Sequence, residues 1–271
     1  MLRKLRRIVI LVLVAVVAFY VLLVGAVFFA QRKLVFPAPP DVEEPAVAGA
    51  TLLRLPSGDG TVYALHLPAP EGAPTIVYFH SNGEQLADSR YLAQALHRQG
   101  FGFYSVEYPG YGLARSGAPS ESGIYAAAEA ALVHLEGALH VPRERIILVG
   151  RSLGSGVATE MAARGHGAKL ALVSPYTSIA DVGAQAFPFL PVRLLVRDRF
   201  DTLSKAARIA LPVLLLHGSE DEVIPVAMSW TLSKRFPKAT VRLVLGAQHN
   251  DVLEAQAGLG LRLLTEFSRD G

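Results

Sequence analysis

Apolar residues are arranged in two ways along this 271-residue chain. Near the start they form one unbroken block. From Ile8 to Ala30 there is no charged side chain. A helix over these 23 residues would be about 35 Å long at roughly 1.5 Å per residue, enough to cross a hydrocarbon layer of about 30 Å. After position 50 the apolar residues instead fall into short runs separated by polar, glycine-rich stretches. Thr51–Leu55 and Thr61–Leu67 predict a strand pair, with Ser57-Gly58-Asp59-Gly60 as the turn. Thr75–Phe79, Phe101–Val106, Arg145–Val149, Leu170–Val173, Val213–Leu216 and Val241–Leu245 predict six further strands. Between them lie helical stretches at about Glu84–Gln99, Ser120–Leu139 (with Ser120 as its cap), Ser152–Arg164 and Asp251–Phe267.

Strands that are apolar throughout, alternating with helices, indicate a mostly parallel sheet covered on both faces. The opening pair predicts an antiparallel edge. Pro37, Pro39, Pro40 and Pro45, mixed with Asp41, Glu43 and Glu44, read as an extended connection. The expected organisation is an N-terminal membrane anchor at 1–33 (transmembrane at about 8–30), a linker at 34–50 and a folded domain at 51–271. That domain carries a short insert at about 174–211.

Charge refines the picture of the first segment. Arg3, Lys4, Arg6 and Arg7 precede the apolar block and only Arg32 and Lys33 follow it. The larger basic cluster predicts a cytoplasmic N-terminus, which places the folded domain on the periplasmic or extracytoplasmic side. A cleaved signal peptide is the alternative, but its apolar core is normally about 7–15 residues, and Val24-Gly25-Ala26 is a weak cleavage site. Lys plus Arg total 26 against 23 Asp plus Glu, and six of the basic residues lie in the first 33 positions. The remainder is slightly acidic, so no basic face for nucleic acid is implied. There is no cysteine, which excludes disulfides, thiolate metal sites and cysteine nucleophiles.

Gly150-Arg151-Ser152-Leu153-Gly154 matches G-x-S-x-G. It directly follows a predicted strand and opens a predicted helix, the setting of a strained turn that lifts a serine hydroxyl above a sheet. A dinucleotide-binding loop fails on glycine spacing. A serine hydroxyl needs a base to remove its proton. His249, in the loop between the last strand and the last helix, is the candidate, because sites of open parallel sheets form at the carboxyl ends of the strands. His166 belongs to the serine's own helix region, and His217 reads as a structural residue of its loop. The carboxylate that orients the base falls in Glu220-Asp221-Glu222, after the strand Val213–Leu216. Position alone does not choose among these three. An oxyanion needs two backbone donors. Leu153 supplies one. His80-Ser81-Asn82-Gly83 follows the strand Thr75–Phe79 and supplies the other, with Asn82 preferred and Ser81 its competitor. His80 is expected to brace that loop rather than react.

Taken together, Tyr78-Phe79-His80-Ser81-Asn82-Gly83, Glu107-Tyr108-Pro109-Gly110-Tyr111-Gly112, Gly150-Arg151-Ser152-Leu153-Gly154-Ser155-Gly156, Ser174-Pro175-Tyr176-Thr177-Ser178, the loop from His217 to Pro225 and Gln248-His249-Asn250 resemble the α/β-hydrolase superfamily. They look most like its membrane-anchored serine hydrolases, which include protein depalmitoylases and bacterial relatives. The resemblance covers about residues 50–270. It implies an α/β-hydrolase fold and a Ser152–His249–Asp221 triad, since Asp221 holds the family's acid position. It implies ester or thioester hydrolysis of a small or lipid-like acyl substrate without a metal or organic cofactor. The family usually has His-Gly-Asn in the oxyanion loop, where this chain has Ser81 in place of the glycine. A peptidase or amidase of the same fold is one alternative, and a catalytically silent, membrane-tethered interaction protein is another. A dehalogenase is disfavoured, because that chemistry places a carboxylate at the elbow. The sequence leaves the oligomeric state open.

Overall fold

The structure, a computed structural model, describes residues 2–57 and 60–269. Eight strands form one sheet in the order β1-β2-β4-β3-β5-β6-β7-β8. They are β1 (Thr51–Ser57), β2 (Gly60–Leu67), β3 (Thr75–Phe79), β4 (Gly102–Val106), β5 (Ile146–Arg151), β6 (Lys169–Val173), β7 (Val213–Gly218) and β8 (Ala239–Val244). The β1–β2 and β2–β4 pairs are antiparallel and all later pairs are parallel. The antiparallel edge is therefore where the sequence placed it. Gly58 and Asp59 of the expected turn lie outside the described residues.

The central strands are buried on both faces, as their unbroken apolar runs require. All five residues of β3 and all five of β4 are buried. Side-chain alternation sends Val77 and Phe79 to one core and Ile76 and Tyr78 to the other. Helices α3 (Glu121–Gly137) and α4 (Leu153–Ala163) cover the first face through Ile124, Leu132, Val157 and Met161. Helices α2 (Arg90–Arg98) and α9 (Ala255–Arg269) cover the second through Leu96 and Leu264. Ser120 caps α3 by accepting from the Gly123 N–H at 3.1 Å. The edge strand β8 instead alternates between exposed and partly buried residues over most of its length.

Helix α1 runs from Leu2 to Val35, past both ends of the apolar block. It is long and apolar enough to cross a membrane, and none of its most apolar window is buried. Its last turns rest on the insert, which contains α5 (Ile179–Ala186), α6 (Val192–Leu195) and α7 (Thr202–Ala206). The connection from 36 to 50 is extended but docked, since Phe36 and Val47 are buried.

Two helix boundaries differ from expectation. The stretch expected to be helical from Glu84 divides into a 3-10 turn at Leu86–Ser89 and then α2. The last helix was expected from Asp251. There Gln256, Ala257 and Gly258 are left-handed, and regular geometry resumes only after them. Gly258 at φ +78 turns the chain, and the Leu261 N–H then bonds back to the Leu253 carbonyl at 3.2 Å. Short helices such as α8 (Ala227–Ser233) gave no sequence signal, because two turns are too few to show a periodicity.

Candidate active site

The site lies at the carboxyl ends of β3, β5, β7 and β8. β5 pairs with β3 and β6 on its two sides, so its end is central. Ser152, between β5 and α4, has φ 50 and ψ −117, a sparsely populated conformation held by its surroundings. Its N–H bonds the Val173 carbonyl at 2.9 Å, and its own carbonyl accepts from the Ser155 N–H at 2.8 Å. The flanking glycines are required by space. A Cβ at Gly150 would strike the Gly154 carbonyl, and one at Gly154 would strike the Phe79 carbonyl. The α4 N-terminus therefore lies directly against the end of β3.

The Ser152 Oγ is 2.9 Å from His249 Nε2, and His249 Nδ1 is 2.8 Å from Asp221 Oδ2. Since the carboxylate can only accept, Nδ1 carries the proton and Nε2 presents a lone pair to the serine hydroxyl. The Asp221 side chain is fully buried. Its Oδ1 accepts from the N–H groups of Val223 at 3.0 Å and Ile224 at 2.8 Å. Burial by itself would raise this carboxyl's pKa. Hydrogen bonds from His217, His249 and the Ile224 N–H outweigh burial and hold it well below the usual carboxylate range. Glu220 and Glu222 point to solvent and are exposed. Of the three carboxylates, Asp221 is the one brought to His249.

His217 is bonded within its own loop and to the following helix α8. Its Nε2 donates to the Ile224 carbonyl at 2.8 Å and lies 3.1 Å from Asp221 Oδ2. Its Nδ1 then accepts from the Ser229 hydroxyl at 2.7 Å. His166 sits away from the site between Glu136 and Glu129. His80 is fully buried, stacks on Tyr108 with ring centroids 3.9 Å apart, and donates through Nδ1 to the Ser81 carbonyl at 2.9 Å. Burial lowers its pKa, but the Glu107 carboxylate facing Nε2 at 3.3 Å helps to hold it above the ordinary imidazole value.

The loop after β3 separates the two candidate donors. The Ser81 N–H is engaged by Glu84 Oε2 at 2.8 Å. No acceptor among the described residues takes the Asn82 N–H. Leu153 opens α4, so its N–H belongs to the group that intrahelical bonding leaves unpaired. Asn82 is held by its side chain. Its Nδ2 donates to the Val35 carbonyl at 2.6 Å, and its Oδ1 accepts from the Tyr111 hydroxyl at 2.6 Å. Ser81 in place of the usual glycine is tolerated because its backbone is not left-handed, and the positive φ falls on Gly83.

Sequence reasoning missed what ties these loops together. Arg151, the variable residue before the serine, bonds Glu84 Oε1 at 3.2 Å and also donates to the Asn250 carbonyl. One guanidinium thus links the serine turn to the loop after β3 and to the histidine loop. Its only sequence signal was a basic side chain in a motif position open to any residue. Tyr176 was quoted for resemblance alone. Its hydroxyl donates to the Leu153 carbonyl at 3.1 Å. A cleft of about 290 Å³ opens over Ser152, bounded by Ser81, Asn82, Ile179, Val182, Val223 and His249 among others. Among the described residues no group of three or more His, Asp or Glu side chains is placed to hold a metal ion.

A strained serine above a central strand, with an imidazole and a carboxylate brought from two later loops, defines an α/β-hydrolase. Comparison with known proteins agrees. Residues 70–200 match the family described as serine aminopeptidase, S33, a segment that includes Ser152 and ends before Asp221 and His249. An uncharacterized protein of Mycobacterium tuberculosis is 33% identical over 258 residues, covering 92% of this chain and 90% of its own length. The alpha/beta hydrolase domain-containing protein 17B of Homo sapiens is 35% identical over 186 residues, covering 68% of this chain and 63% of the human protein. Among solved structures, a Pyrococcus furiosus esterase superposes with a TM-score of 0.68 at 15% identity, over 85% of this chain and 95% of its own. A bacterial membrane phospholipase A superposes with a TM-score of 0.61 at 18% identity over the whole of both chains. The chain belongs to the α/β-hydrolase superfamily.

Proposed function

We propose that this protein is a membrane-anchored serine hydrolase that cleaves carboxylic ester or thioester bonds through an acyl-enzyme on Ser152. The observation that carries this reading is the continuous line Ser152 Oγ–His249 Nε2, His249 Nδ1–Asp221 Oδ2, at 2.9 and 2.8 Å. His249 takes the Ser152 proton as Oγ adds to the acyl carbon, and Asp221 stabilises the imidazolium that results. The carbonyl oxygen gains the negative charge, and the N–H groups of Leu153 and Asn82 stabilise it, aided by the positive end of α4. The imidazolium then protonates the departing alkoxide or thiolate. In the second half His249 deprotonates water, which adds to the acyl-serine, and Ser152 regains its proton as the acid leaves.

A membrane setting is supported by the bare apolar surface of α1. The basic residues before that helix favour a cytoplasmic N-terminus and a catalytic domain on the extracytoplasmic side. An aminopeptidase must pair the ammonium group of its substrate, and among the described residues no carboxylate lines the cleft over Ser152. That favours ester or thioester cleavage over an aminopeptidase reading. A fluorophosphonate probe tests the nucleophile. Labelling of the wild type, lost in Ser152→Ala, is the expected result, and no labelling of folded wild type overturns the proposal. Turnover of matched acyl esters, thioesters and amides then ranks the bonds.

A further inference from the structure

The insert between β6 and β7 carries large apolar side chains that remain largely open to solvent. Phe187, Phe189 and Leu194 are 49%, 62% and 87% exposed. Their position relative to α1 is set by specific bonds. The Gln31 side chain donates to the Leu195 carbonyl at 3.2 Å and accepts from the Arg197 N–H at 2.9 Å. Arg32 pairs with the buried carboxylate of Asp198 at 3.0 Å. Higher on the helix, the Tyr20 hydroxyl donates to the Phe189 carbonyl at 2.9 Å. Tyr20 and Gln31 are about 16 Å apart along the axis, at roughly 1.5 Å per residue. The insert therefore runs beside α1 for about three turns, with its tip pointing back towards the helix N-terminus.

That register decides what covers the tip. Every residue of α1 from Leu2 to Leu23 is exposed. From Ile8, just past the basic cluster, to Leu23 this bare and charge-free surface spans about 23 Å, most of the thickness of a hydrocarbon layer. A bilayer that covers it reaches Tyr20, and so also reaches Phe189 beside it. Arg193, Arg197 and Arg199 follow the tip, all exposed, and Arg32 faces them from α1. Arg32 and Arg193 already pair with Asp198 and Asp181, so Arg197 and Arg199 are the cations placed for lipid phosphates, while the phenylalanines enter the acyl region. The same element leads to the catalytic cleft. Ile179 and Val182 line the cleft over Ser152, and α5 continues from them to Ala186 and the tip.

We infer that the tip at residues 187–190 is buried in the leaflet that α1 crosses, and that the Ser152 cleft receives acyl esters whose chains reside in that leaflet. This inference rests on the serine hydrolase reading above and adds the source of the substrate. The route runs from lipid to Ser152 along one helix of about 12 Å. The base of the insert carries positive charge where headgroups would lie, and the tip carries none.

The test uses the full chain in mixed phosphatidylcholine–phosphatidylglycerol vesicles. Two substrates are compared, p-nitrophenyl palmitate dissolved in the vesicles and p-nitrophenyl acetate in the water. In Phe187→Asp/Phe189→Asp, turnover of the palmitate is expected to fall about tenfold or more, because two charged side chains replace two that partition into lipid. Acetate turnover and fluorophosphonate labelling stay at the wild-type level, which also shows that the variant is folded. Equal loss on both substrates, or no loss on either, overturns the inference. A second measurement does not depend on activity. In a Trp230→Phe background, Phe189→Trp is expected to be quenched by brominated acyl chains and not by a water-soluble quencher. The reverse pattern removes the leaflet contact even if esterase activity is intact. Wild type inactive on both esters refutes the hydrolase reading instead, while the quenching still reports on the tip.

Discussion

Asn82→Ala tests whether the end of α1 helps to build the oxyanion site. The Asn82 side chain makes two hydrogen bonds, each 2.6 Å long, to the Val35 carbonyl and from the Tyr111 hydroxyl. At about 0.5–1.5 kcal/mol net for each bond, their loss costs about 1–3 kcal/mol of stability. The backbone N–H of the same residue is the proposed second oxyanion donor, and it has no side-chain anchor left in the variant. Complete loss of such a donor lowers kcat by about 10²–10³. The N–H remains in Asn82→Ala but is less well held, so the expected fall in kcat is about 10–100-fold. KM for a short ester should change little, since the contact forms only as negative charge develops. Tyr111→Phe removes one of the two bonds and should lower kcat less. The assay is steady-state hydrolysis of p-nitrophenyl acetate, with thermal unfolding as the check on folding. A kcat within twofold of wild type in a folded Asn82→Ala protein would refute the role given to this loop.

Other substitutions separate the remaining roles. Ser152→Ala should leave the melting temperature nearly unchanged while turnover falls by several orders of magnitude. Asp221→Asn should lower kcat about 10⁴-fold by favouring the wrong imidazole tautomer, whereas Glu220→Gln and Glu222→Gln, at exposed positions, should be near wild type. The Asp221 carboxyl is held below its ordinary range in the folded protein, so its contribution to stability is present above the unfolded pKa of about 3.9 and is lost as pH falls through the folded value. Urea titrations should therefore show a gap between wild type and Asp221→Asn that is constant from about pH 7 to 5 and narrows below about pH 4. Gly154→Ala should prevent folding or destabilise severely, because its Cβ would meet the Phe79 carbonyl; soluble, fluorophosphonate-reactive protein would contradict the close approach of α4 to β3.

The sequence alone determined whatever depends on neighbours along the chain. Continuous apolar runs specify strands buried on both faces, so all eight strands can be placed to within two residues at either end. The eighth, β8, begins two residues before its expected start because an edge strand is only half covered. The strand–turn–helix setting of Gly150–Gly154 likewise identifies Ser152 from local pattern, and the charge-free block from Ile8 to Ala30 identifies α1.

Only the tertiary structure decided relations between distant segments. It selected Asp221 over two glutamates one residue away, because one register of the loop after β7 turns a single carboxylate inward onto two imidazoles and two backbone N–H groups. It separated Asn82 from Ser81 by engaging one N–H with Glu84. It gave Arg151, from a position the motif leaves open, the task of joining three loops. It also set the insert beside Tyr20, where the pattern of the chain shows only two apolar segments 169 residues apart. The reason is common to all four cases. Hydrophobic periodicity records which faces are buried, whereas the partner of a polar group is a matter of direction and a few ångströms, and those exist only once the sheet has brought the loops together.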